Sequence, residues 1–176
     1  MGSLRNHLLI QRLVLISILV ALGVILSLFD KFISSLAFPF LPTAKIGLAN
    51  VVILLSLYRF SFKETLLLTI MKSALVGLIL GSPITFVISF VASTISFLGM
   101  FLAYKTLRKW ASMISISVIG GFLHIMGQLM TVSVIYQLGD VVLAYGAILV
   151  FVSLITSTII GFVSLRVLPV FDVKNS

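Results

Sequence analysis

Apolar stretches of about twenty residues, closed by basic or aromatic residues, recur along this chain and leave it few ways to fold. Pro83 to Tyr104, for example, contains no Asp, Glu, Lys or Arg. At about 1.5 Å rise per residue, a helix of about 20 residues crosses a hydrocarbon core of about 30 Å. The chain is 61% hydrophobic and 9% charged, with a mean hydropathy of +1.33, which excludes an ordinary soluble domain. An all-α membrane protein is expected, with six transmembrane helices in one compact bundle spanning residues 1–176. The predicted spans run roughly from Leu8 to Phe29, Ile46 to Tyr58 with a contribution from upstream, Phe62 to Leu80, Pro83 to Tyr104, Ala111 to Gln137, and Val141 to Leu168. The first is too long for a signal-peptide core and is expected to be a retained anchor.

Twelve basic residues against four acidic ones give a formal net charge of +8. The basic residues sit at span ends rather than in one patch, so topology explains them better than nucleic acid does. Arg5, Arg12, Arg59, Lys63, Lys105, Arg108, Lys109, Arg166 and Lys174 fall on one side if the amino terminus is cytoplasmic, and Lys31 and Lys45 fall opposite. Both termini are therefore expected inside, with Tyr58, Tyr104 and Trp110 as interfacial aromatics. With no cysteine, disulfides, thiolate metal sites and cysteine nucleophiles are excluded. Asp30, Glu64, Asp140 and Asp172 all lie at span ends or in the tail, so no carboxylate metal cage and no cofactor are expected.

One cation breaks the pattern. Lys72 sits near the middle of the third span, where a charge costs about 2.5 to 3.5 kcal/mol on insertion scales and requires a partner. His124 and Gln128, one helical turn apart on the fifth span, and Asn50 on the second add groups that must be satisfied without water. A shared cavity accounts for all four. No acidic residue is expected at that depth, so the implied partner of Lys72 is an anionic ligand held with Asn50, His124 and Gln128. The competing account is an uncharged Lys72, or one that snorkels to an interface. Residues 30 to 45 are apolar and twice broken by proline, which suits either an outer lid over such a pocket or an interfacial loop.

Other polar residues repeat at helical spacing. Thr65, Thr69 and Lys72; Thr85, Ser89, Ser93 and Ser96; Gly120, His124, Gln128 and Thr131; and Ser153, Ser157, Gly161 and Ser164 each form a stripe. Hydroxyls and glycines of this kind most simply serve close helix packing. On the first span Ser17 with Ala21 and Gly23 with Ser27 repeat small residues, for a partner subunit or for another helix of the same chain.

Two segments carry a family likeness. Pro42-Thr43-Ala44-Lys45-Ile46-Gly47-Leu48-Ala49-Asn50, Lys72, and Gly120-Gly121-Phe122-Leu123-His124-Ile125-Met126-Gly127-Gln128 resemble the bacterial Gx transporter family, often labelled heptaprenyl diphosphate synthase component I. One departure is Ile125, where members usually carry Asn. That family is similar to the substrate-binding S components of energy-coupling factor transporters. The resemblance implies a multi-pass protein of the bacterial cytoplasmic membrane with an outward pocket that includes Lys45, Lys72 and Asn50. Residues 30 to 45 would be its lid. It also implies contact between the first helix and a coupling-factor transmembrane subunit, and separate ATPase subunits, since this chain has no phosphate-binding Gly-x-x-x-x-Gly-Lys-Ser/Thr loop.

The ligand expected is a small anionic, partly apolar metabolite such as a quinone or prenyl precursor, a naphthoate or a flavin. The label alternatively suggests a membrane component of prenyl diphosphate synthesis. Synthases of that kind hold diphosphate through magnesium on aspartate-rich motifs, and none occurs here, so no enzyme activity is expected of the chain alone. A structural subunit of a membrane electron-transfer system is the third reading.

Overall fold

The computed structural model describes residues 2–37, 45–107, 110–137 and 141–171. Among them are six α-helices, α1 (Gly2–Ala37), α2 (Asn50–Arg59), α3 (Phe62–Ile79), α4 (Pro83–Thr106), α5 (Met113–Tyr136) and α6 (Val141–Val167), and a closing 3₁₀ turn, Leu168–Phe171. Four have stretches long and apolar enough to cross a membrane: Leu9–Leu36, Pro83–Thr106, Met113–Tyr136 and Gly146–Val167. The 18 residues of α3 reach roughly 27 Å but include Lys63, Glu64 and Lys72. With only 10 residues, α2 is roughly 15 Å long.

Sequence chemistry sets the helix starts. Ser61 and Glu64 form a reciprocal capping box at α3. At α4, Ser82 accepts the Thr85 N–H at 3.1 Å ahead of Pro83, and at α5, Ser112 accepts the Ser115 N–H at 3.1 Å.

The short helix occupies the centre. α2 packs against each of the other five helices, while α1, α3, α4, α5 and α6 neighbour one another in that order around it. Residues Val52 to Leu57 are all buried, which explains why α2 is apolar on every side. Ile53, Leu54 and Leu57 join Phe97 and Met100 of α4, Ile116 of α5 and Ile160 of α6 in the main core.

Hydroxyls and glycines knit the long helices together. Ser96 donates to the Gly120 carbonyl at 2.8 Å, Ser117 donates to the Ser157 carbonyl at 2.7 Å, and Gly161 admits the Ile114 backbone. Close packing of α5 against α6 is therefore served by Ser157 and Gly161 of the α6 stripe.

The first helix does not stop at Phe29 but continues to Ala37, so residues 30–37 of the expected lid segment are helical. The charged pair Asp30-Lys31 looks like a membrane exit, yet Asp30 is 1% exposed and has partners inside the fold. Residues 38–44, the rest of the expected lid and the Pro42-Thr43-Ala44 start of the family motif, lie outside the described residues, as do Arg108, Lys109, Asp140, Asp172 and Lys174.

Candidate functional site

A helix that begins within a protein interior leaves its first N–H groups without partners. In α2 the N–H groups of Asn50, Val51 and Val52 turn back on the carbonyls of Gly47, Leu48 and Ala49, and Asp30 on α1 anchors that turn. Its Oδ1 accepts the Ile46 N–H at 2.8 Å; its Oδ2 accepts those of Gly47 at 2.8 Å and Leu48 at 3.0 Å. Gly47 has φ +98°, a conformation that L side chains rarely adopt, and this turn delivers Asn50 to the first position of α2. A side chain on Gly47 would meet Asn50 Nδ2 at 3.2 Å and the His124 ring at 3.6 Å. The turn thus joins α2 to α5.

The lysines arrive from either side. Lys45, immediately before the turn, donates to Ser89 Oγ on α4. Lys72 on α3 donates to Ser93 Oγ at 3.0 Å, one helical turn along α4. Its aliphatic stem packs on α1, where a Cβ at Gly23 would lie 3.1 Å from Lys72 Cδ. Ser89 and Ser93, four apart on α4, thus place both ammonium groups along one face of that helix. The Ala92 carbonyl lies beside the His124 ring.

All five expected site residues are buried: Lys45, Asn50, Lys72, His124 and Gln128. Gly47 lies against both Asn50 and His124, the two lysines meet Ser89 and Ser93 of α4, and Gln128 lies one turn beyond His124 on the same face of α5. Asn50 Oδ1, His124 Nδ1 and Gln128 Oε1 have no hydrogen-bond partner. The hydroxyls of Ser56, Thr94, Ser153 and Ser164 are in the same condition, and Asn50, His124 and Gln128 are the amide and imidazole members of that set.

Sequence reasoning missed the burial of Asp30 and the pairing of Ser89 and Ser93 with the two lysines. The supposed absence of a carboxylate at depth is overturned by Asp30, whose burial satisfies backbone donors that no water would reach. Ser89 and Ser93 lie four apart on the polar stripe of α4, and that spacing could have paired them with two lysines. Of the small residues on α1, Ser17 and Ala21 are exposed, whereas Gly23 and Ser27 face inward. Gly23 therefore serves a neighbouring helix of the same chain rather than a partner subunit.

An open cleft of about 530 Å³ lies elsewhere, lined by Arg12, Leu15, Ile18, Arg59 and Phe60 among others. Arg12 is roughly 16 Å along α1 from Gly23 by helical rise, so the cleft is separate from the buried cluster.

Comparison with known proteins adds one finding: residues 19–167 match the family described as heptaprenyl diphosphate synthase component I. No curated protein and no solved structure matches the chain. The match includes α2 to α5 and all of the buried cluster, and the protein is a member of the heptaprenyl diphosphate synthase component I family.

Proposed function

We propose that this protein is the substrate-binding membrane subunit of an energy-coupling factor type transporter, with the buried cluster as its pocket for a small anionic, partly apolar metabolite. The observation that carries the reading is the convergence of Lys45, Asn50, Lys72 and His124 in an otherwise apolar bundle, with orphaned polar atoms on Asn50, His124 and Gln128. A lysine ammonium has three donors. Ser89 and Ser93 each take one, so both lysines keep capacity for an anion.

In this reading the chain crosses the bacterial cytoplasmic membrane six times with both termini inside, α2 being completed by upstream residues. The exposed side of α1 at Ser17 and Ala21 meets a coupling-factor transmembrane subunit, and separate ATPase subunits supply the energy. The chain is no enzyme itself. The family description points instead to prenyl diphosphate synthesis, where a non-catalytic membrane role beside a separate synthase is the alternative.

Direct titration tests the proposal. The purified full chain in lipid nanodiscs should bind 2-naphthoate saturably, and Lys72→Met should weaken that binding at least about tenfold by removing a charge-assisted hydrogen bond. Unchanged affinity in the variant would remove Lys72 from the pocket. Failure of naphthoates, flavins and prenyl phosphates alike to bind would sink the reading.

A further inference from the structure

The buried cluster holds unequal numbers of opposite charges. Lys45 and Lys72 contribute two formal positive charges; Asp30, which accepts the N–H groups of the turn that directly follows Lys45, contributes one negative. Counting the imidazole as neutral, the cluster carries a formal charge of +1. A bound anion of one charge brings it to zero. A dianion leaves a net buried negative charge, and uncompensated charge in an apolar interior is costly.

The orphaned atoms specify the rest of the ligand. Asn50 Oδ1 and Gln128 Oε1 are acceptors. So is His124 Nδ1 when the ring's other nitrogen directs its proton to the Ala92 carbonyl. Each therefore calls for a donor. A deprotonated phosphate or carboxylate supplies none, whereas a hydroxyl does.

Taking the cluster to be a ligand pocket, as proposed above, we infer that it selects a monovalent carboxylate that also carries hydroxyl donors, and discriminates against phosphates and diphosphates. The carboxylate lies toward Lys45 and Lys72 beside α4. Hydroxyl groups lie toward Asn50, His124 and Gln128. Asp30 is a positioning and charge-setting residue, for its own oxygens are occupied by the backbone of the turn before α2.

Three kinds of probe on one ring system test this, titrated calorimetrically into the full chain in nanodiscs at pH 8. They are 2-naphthoate, a set of hydroxy-2-naphthoates differing in hydroxyl position, and 2-naphthyl phosphate, which is a dianion there because its second pKa is near 6. The best hydroxynaphthoate should bind at least about tenfold tighter than naphthoate, and naphthoate at least about tenfold tighter than the phosphate. Asp30→Asn raises the cluster to +2 and should bring the phosphate level with naphthoate or above it. Where that variant does not fold, the wild-type ranking decides alone.

A phosphate that binds wild type as tightly as naphthoate overturns the charge assignment, and no gain from any hydroxyl overturns the donor assignment. In both cases the pocket stands if Lys72→Met still weakens binding. If none of the probes binds saturably, the proposed function falls and this inference with it.

Discussion

Asp30 holds three backbone N–H groups with one carboxylate, and no neighbouring side chain among the described residues duplicates it. Asp30→Ala strands those donors, at a cost of about 1–3 kcal/mol for each buried group left unsatisfied. The expected result is a loss of at least about 3 kcal/mol in denaturant stability. A loss below about 1 kcal/mol would mean that the turn finds other partners. Residue identity made Lys72, His124, Gln128 and Asn50 legible in the sequence, because polar groups in apolar spans demand explanation. Asp30 was not legible in that way. Beside Lys31 it resembles an ordinary surface pair, and only the distant turn at Ile46 to Leu48 gives its burial a reason.

Among elements, the contrast between glycines separates close packing from mere proximity. A Cβ at Gly161 on α6 would sit 2.7 Å from the Ile114 Cα, which belongs to backbone and moves only with α5. At Gly99 on α4 the obstacle is Leu123 Cδ1, the end of a flexible side chain that can rotate away. Gly161→Ala should therefore destabilise by about 1–3 kcal/mol, with Gly99→Ala clearly milder, as measured by denaturation in matched micelles. Equal effects would show that α5 and α6 separate freely. The long apolar helices were readable from hydropathy alone. The end of α1 was misread because hydropathy falls at Asp30 while helical geometry continues, and the core position of α2 had no sequence signal beyond its lack of a polar face.

For the whole molecule, the distribution of basic residues bears on orientation, which the fold by itself leaves open. The chain has no cysteine, so single introduced thiols report without background. With both termini inside, Pro83→Cys should react with a membrane-impermeant maleimide on intact cells, and Trp110→Cys only after permeabilisation. The opposite pattern would invert the topology and place the buried cluster nearer the cytoplasm. Composition made the membrane class readable, because a chain this apolar has no soluble alternative. The pairing order of helices around α2 was not readable, since lipid is as apolar as leucine and burial against protein leaves little mark on hydropathy.

The shortness of α2 also constrains the order in which the chain can assemble. At 10 residues it is too brief to enter the bilayer as a self-sufficient span, and the turn that leads into it is anchored by Asp30 of α1, which is synthesised earlier. Its core contacts with Ile160, by contrast, wait for nearly the last helix to emerge. The central element is therefore expected to be anchored first through the turn held by α1 and enclosed only when α6 packs on it. A ribosome that stalls before α6 would leave the bundle unclosed around its own axis, an intermediate open to membrane quality control.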